Sequence, residues 1–236
     1  MRKSNQTTHP NPKEVSNIQP KYNLTPSQNI FLAKRNIVSN IYNSAKLEGC
    51  NVTFPETQTI LDGVNVGSVT LDDIQTVLNL RDAWQFTIAN LAEAFNLDFI
   101  CKVNAHVSRN ESLQWGVLRT GKVGISGTDY VPPVPIKEAV DAEIARILNI
   151  KSATKRAITF FLWACHAQLF WDGNKRTSMI CANKLLIEAG AGILTVKDTH
   201  IMEFNKRLLQ YYNSGDMSVI DQWLYDNCID GIEFAE

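Results

Sequence analysis

Residues 166–178 read His-Ala-Gln-Leu-Phe-Trp-Asp-Gly-Asn-Lys-Arg-Thr-Ser, and this stretch decides the fold. Before it stands Ser152–Cys165, almost wholly apolar through Phe160-Phe161-Leu162-Trp163-Ala164. A helix apolar on every side belongs at the centre of a core. After it, Gly173–Ala189 also reads as helical. Asp172-Gly173-Asn174-Lys175-Arg176 therefore falls where one central helix ends and the next begins. A helix start offers unsatisfied backbone N–H groups and the positive end of the dipole. With two cations in the same turn, the spot suits an anion such as a nucleotide phosphate. Asp172 could hold Mg2+, which takes one or two carboxylates plus phosphate oxygens. The plainer alternative is that Asp172 only caps the helix while Lys175 and Arg176 are solvated.

Working outward, the pattern stays helical. Thr25-Pro26 is an N-cap followed by proline, and apolar residues from Ile30 to Tyr42 recur at three- to four-residue spacing. This predicts a helix from Thr25 to about Leu47, ended by Gly49. Thr53-Phe54-Pro55-Glu56 opens a short helix, and Val69–Asp73 opens a longer one through Ile88. Further helices are expected from about Asn96, over Lys137–Leu148, over Thr199–Asn213 and near Ser218–Cys228. Residues 115–135 break the pattern with four glycines and three prolines, and Val123 and Ile125 alternate with small or polar residues. That suits a β-hairpin followed by an extended connection. Residues 1–24 are polar with no apolar period and read as a flexible arm, leaving 25–236 as a single domain.

Composition narrows the function classes. The 236 residues carry 23 Lys+Arg against 24 Asp+Glu, a net charge of −1, which argues against a nucleic-acid or anionic-membrane binder. No apolar run approaches the roughly 18 residues of a membrane span, and the N-terminus has no apolar signal region. Five scattered cysteines with no CxxC pair read as buried thiols, and the expected location is the cytoplasm.

The run Phe170-x-Asp172-Gly173-Asn174-Lys175-Arg176 resembles the Fic/Doc family pattern, His-x-Phe-x-(Asp/Glu)-Gly-Asn-Gly-Arg-x-x-Arg. Ser44-Ala-Lys-Leu-Glu48-Gly49 resembles the family's inhibitory (Ser/Thr)-x-x-x-Glu-(Gly/Asn) helix. Gly116-Val-Leu-Arg119 followed by Val123-Gly124-Ile125 resembles its flap segment. The resemblance implies a mostly α, Fic-type helical domain with one β-hairpin flap, its inhibitory helix at 25–49, its flap at 115–135 and its motif at 166–179. It implies AMP transfer from ATP, with Mg2+, onto a hydroxyl of a protein substrate bound along the flap. In that scheme Asp172 holds the metal, Gly173, Asn174 and Lys175 contribute to the nucleotide site, and Arg176 binds the outer phosphates. Ser44, Glu48 and Gly49 would form the inhibitory element. A homo-oligomer is left open.

Three departures bear on activity. Gln168 stands where the family has its general base, and an amide cannot take a proton near neutral pH; losing a base costs about 10²–10⁴ in rate. His166 is a substitute base two residues upstream, but that helical step turns it about 200° away. Lys175 replaces a glycine, as in Doc-like phosphotransferases, and Met179 replaces the second arginine that an inhibitory glutamate would pair with. Lys175 or Arg176 is then the remaining partner for Glu48. The expected function is an autoinhibited protein adenylyltransferase, weak or inactive through Gln168. The alternatives are a catalytically dead nucleotide- or peptide-binding module and a Doc-like phosphotransferase.

Overall fold

The computed structural model describes residues 18–232. Two helices form the centre: α7 (Ala153–Ala167) and α8 (Asn174–Glu188), joined by the six-residue loop 168–173. Their burial follows from their sequence. Phe160, Phe161 and Leu162 in α7, and Ile180, Ala182 and Leu186 in α8, are fully enclosed. Each large apolar side chain so buried contributes about 1.5–3 kcal/mol.

Around this pair lie α1 (Pro26–Arg35), α2 (Ile37–Leu47), α3 (Phe54–Leu61), α4 (Leu71–Ala89), α5 (Leu97–Val107), α6 (Lys137–Leu148), α9 (Ile201–Ser214) and α10 (Asp221–Cys228). Helices α1, α4 and α5 pack on α8, while α6 and α10 pack on α7. Several starts obey their sequence signals. Thr25 and Thr53 each form a capping box, with Gln28 and Glu56, and Thr70 caps α4. A buried pair, Lys155 Nζ to Asp221 Oδ2 at 2.6 Å, ties α7 to α10.

The mostly helical expectation holds, with differences of detail. The helix expected from Thr25 to Leu47 is two, because Asn36 (φ −96°, ψ 12°) ends α1 and begins α2. The antiparallel strand pair is β1 (Ile193–Leu194) with β2 (Ile229–Asp230), not the 115–135 region. Residues 115–135 contain no strand: irregular segments flank a turn at 126–127, where Gly127 has φ +85°. Arg119 instead ties the two ends of this segment together through the carbonyls of Gly121, Pro132 and Pro133. Of the expected arm, residues 1–17 lie outside the described residues. The remainder does not behave as an arm: Ile18 and Leu24 are buried, and the Leu24 amide donates to the Gly190 carbonyl at 2.8 Å. Among the described residues no helix is long and apolar enough to cross a membrane. The five cysteines are free thiols, and all but Cys101 are buried.

Candidate active site

The loop between α7 and α8 is held by its own side chains. The Asn174 carboxamide closes on Phe170, accepting from its amide and donating to its carbonyl, both at 2.9 Å. Asn104 Nδ2 and Ser108 Oγ of the α5 end donate to the Asp172 carbonyl at 3.1 and 3.0 Å. Gly173 has φ +70°, and a Cβ there would lie 2.2 Å from Ser108 Oγ. Glycine is thus required at 173 by both the left-handed backbone and the approach of α5.

This arrangement leaves specific groups free for an anion. The first-turn amides of α8 have no intrahelical acceptor. Asp172 keeps its side chain about half exposed, with Oδ1 accepting from the Gly173 amide at 2.5 Å and lying 3.4 Å from Arg176 Nη2. One half-exposed carboxylate beside a helix N-terminus matches the donor set of a magnesium ion shared with phosphates. Asn174, expected among the phosphate ligands, spends its side chain on the loop, so only its backbone remains for that role.

Both cations are engaged. Lys175 Nζ lies 3.6 Å from Glu48 Oε1 and donates to the Leu47 carbonyl at 3.3 Å. Glu48 itself ends α2 at Gly49, whose φ of +87° suits only glycine, and Ser44 is buried one turn earlier. Glu48 Oε1 is buried and accepts no hydrogen bond. Arg176 is buried, with Nη1 donating to Glu111 Oε2 at 2.6 Å and to the Val107 carbonyl at 3.4 Å. Burial works against the Arg176 charge, but Glu48, Glu111 and Asp172 together hold its pKa above the ordinary guanidinium value.

Gln168 and His166 part company at the end of α7. Gln168 is left-handed (φ 46°, ψ 66°) and caps the helix. Its Nε2 donates to the Cys165 carbonyl at 2.7 Å, and its side chain also hydrogen-bonds Tyr212. His166 stays within the helix, on another face. Its Nδ1 lies 2.9 Å from the Tyr130 hydroxyl, its ring lies 4.0 Å from that of Tyr130 at an interplanar angle of 32°, and Tyr211 stands 5.1 Å off. Burial lowers its pKa, with a backbone hydrogen bond at Tyr212 acting the other way. The structure places His166 in an aromatic cluster with Tyr130, Tyr211 and Tyr212.

Arg119 is fully buried and anchors the flap region. Nε donates to the Gln168 carbonyl and Nη1 to the Gly121 carbonyl, each at 2.5 Å; Nη2 reaches Pro133 at 2.6 Å and Pro132 at 3.2 Å. The flap thereby sits against Trp171, within 2.6 Å of where a Gly121 Cβ would be. Beyond that anchor, Lys122–Ser126 alternate in exposure: Val123 and Ile125 are partly buried, while Lys122, Gly124 and Ser126 are exposed.

Sequence reasoning missed Asn104, Ser108 and Glu111. The spacing of Asn104 and Ser108 on the face of Val103 and Val107 was the available signal, since polar residues on an apolar helix face demand partners. Nothing local marks Glu111.

Residues 94–186 match the model of the Fic/DOC family. The chain is similar to "Protein adenylyltransferase Fic" of Aedes aegypti, at 26% identity over 204 residues, covering 82% of this chain and 40% of that protein. The Drosophila melanogaster protein of the same name is 26% identical over 200 residues, covering 79% and 39%. Among solved structures, Fic-1 (aa134 - 508) from C. elegans superposes with a TM-score of 0.74 at 18% identity, covering 90% of this chain and 64% of that one. A Fic domain containing signaling protein from Bacteroides thetaiotaomicron gives 0.71 at 16% identity, covering 86% of each. The fold is that of a Fic domain. The Fic/DOC match covers residues 94–186, and the chain spans about two fifths of the length of these curated relatives.

Proposed function

We propose that this chain is a protein adenylyltransferase of low basal activity, autoinhibited through Glu48. The observation that carries the reading is the meeting of Glu48 with Lys175 over the first turn of α8, beside the half-exposed Asp172. ATP is the nucleotide, with its phosphates at the α8 amides, Lys175 and Arg176. Bound through Asp172 and phosphate oxygens, Mg2+ would neutralise phosphate charge. A target segment lies along residues 122–125, whose backbone pairs with no strand, and adds one there. Its hydroxyl oxygen bonds to the α-phosphorus, the bond to the β-phosphate oxygen breaks, and pyrophosphate leaves. The hydroxyl proton has no base at position 168, so it passes to water and the step is slow.

One observation favours a second reading, a nucleotide-binding module without transfer. The Gln168 side chain is already committed to Cys165 and Tyr212, and its amide has no proton affinity.

Intact-protein mass after incubation with Mg-ATP separates the readings, taking wild type beside Glu48→Gly and Gln168→His. An AMP adduct with pyrophosphate release, largest in the variants, is the expected result. A phosphate adduct with ADP release would mean phosphoryl transfer instead. Nucleotide binding with no adduct in any of the three would leave only the binding module.

A further inference from the structure

Arg176 is the only guanidinium in the α8 first turn, and the proposed nucleotide reading gives it the outer phosphates. Yet its Nη1 is already occupied at 2.6 Å by Glu111, which stands just beyond the C-terminus of α5. Glu111 is itself held from the other side. Asn79 of α4, fully buried, donates to Glu111 Oε1 at 2.7 Å and to the Arg109 carbonyl at 2.8 Å. Arg176, Glu111 and Asn79 thus form one chain from α8 to α4. At the far edge of the guanidinium Asp172 lies 3.4 Å from Nη2, and Nε is buried with no acceptor.

Resting on that nucleotide reading, we infer that Glu111 is a positioning residue that sets how much of the Arg176 charge a nucleotide's phosphates can use. Glu111 holds the guanidinium in one orientation and neutralises it before any ligand arrives. Phosphates approaching Arg176 meet the carboxylates of Glu111, Asp172 and Glu48 grouped around it. Affinity at this site is therefore restrained twice, once by Glu48 through Lys175 and once by Glu111 through Arg176. The two restraints come from different parts of the fold: Glu48 rides on α2, and Glu111 is fixed by α4 and α5. Displacing α2 would relieve only the first.

The restraint is electrostatic, so it must scale with phosphate count. The test measures binding of ATP and AMP, each with Mg2+, by calorimetry on the full chain as wild type, Glu48→Gly and Glu111→Gln. Glu111→Gln keeps the shape and one acceptor while removing the charge. ATP is expected to tighten about tenfold and AMP by less than about twofold, the difference being the loss of a like charge near the outer phosphates. An equal change for both nucleotides, or weaker ATP binding, overturns the role. If Glu111→Gln fails to fold, Glu111→Asp carries the same test. It draws the charge back by one methylene and is expected to tighten ATP about threefold, again with AMP little changed. Failure of the underlying reading looks different: neither nucleotide would bind wild type or any variant, which overturns both proposals. ATP binding that Glu48→Gly improves and Glu111→Gln leaves unchanged overturns the Glu111 role alone.

Discussion

Lys175 Nζ lies 3.6 Å from Glu48 Oε1 and 3.3 Å from the Leu47 carbonyl, so one side chain of α8 closes the C-terminus of α2. The chain lacks the arginine that the Fic/Doc pattern would place at Met179, and Met179 is core. The lysine at the glycine position takes over the contact. This pair is about a quarter exposed on each side and loses strength to solvent.

Lys175→Ala should therefore cost only about 0.2–1 kcal/mol in stability, measured by urea denaturation. Glu48→Gly should tighten ATP about five- to tenfold by removing a carboxylate beside the phosphates. Equal ATP affinity in wild type and Glu48→Gly would remove the inhibitory role from this contact.

Gln168→His should raise transfer by about 10²–10⁴ by supplying the missing base. The backbone at 168 has φ 46°, a conformation in which histidine is enriched among non-glycine residues, so the variant should fold. A folded Gln168→His that binds Mg-ATP yet yields no AMP adduct would show that the block lies elsewhere.

Arg119→Lys should destabilise the protein by about 3 kcal/mol, because a single ammonium cannot reach carbonyls at Gly121, Pro133 and Gln168 together. Tryptic cleavage after Lys122 should quicken in the same variant as the flap loosens. A loss below about 1 kcal/mol with unchanged cleavage would mean that Arg119 does not anchor the flap.

His166 gives a pH dependence whose sign follows from burial. Its folded pKa is lowered, so as pH falls through the unfolded value near 6.5 the unfolded state binds a proton that the folded state does not. Stability should fall with decreasing pH below about 6.5, and His166→Phe should flatten that slope. His106, also lowered by burial, contributes in the same direction and sets the residual slope. An unchanged slope between about pH 5 and pH 7.5 in His166→Phe would assign the effect to other groups.

The helices were legible because caps and apolar spacing act locally: Thr25, Thr53 and Thr70 start helices where their patterns place them. The central pair was legible because an all-round apolar α7 has nowhere else to go. What could not be read was set by contacts distant in sequence. Arg119 reaches Gln168, 49 residues on, and so gathers a segment whose alternation reads as a hairpin. Glu111 meets Arg176 across 65 residues with no motif around it. The commitment of Asn174 to Phe170 is local, but an Asn beside Gly and Lys looks the same whether its amide faces a ligand or its own loop.

That last point reaches beyond this chain. Gly173 is required because a Cβ there would lie 2.2 Å from Ser108 Oγ, and Asn174 by the closure of its loop, whether or not any nucleotide is ever bound. Part of what looks like a catalytic signature is therefore masonry. A chain that had abandoned the chemistry would still have to spell Gly-Asn at this corner, or lose the seam between α5 and α8. The letters that bear on chemistry are those that depart from the Fic/Doc pattern, and here they are Gln168, Lys175 and Met179.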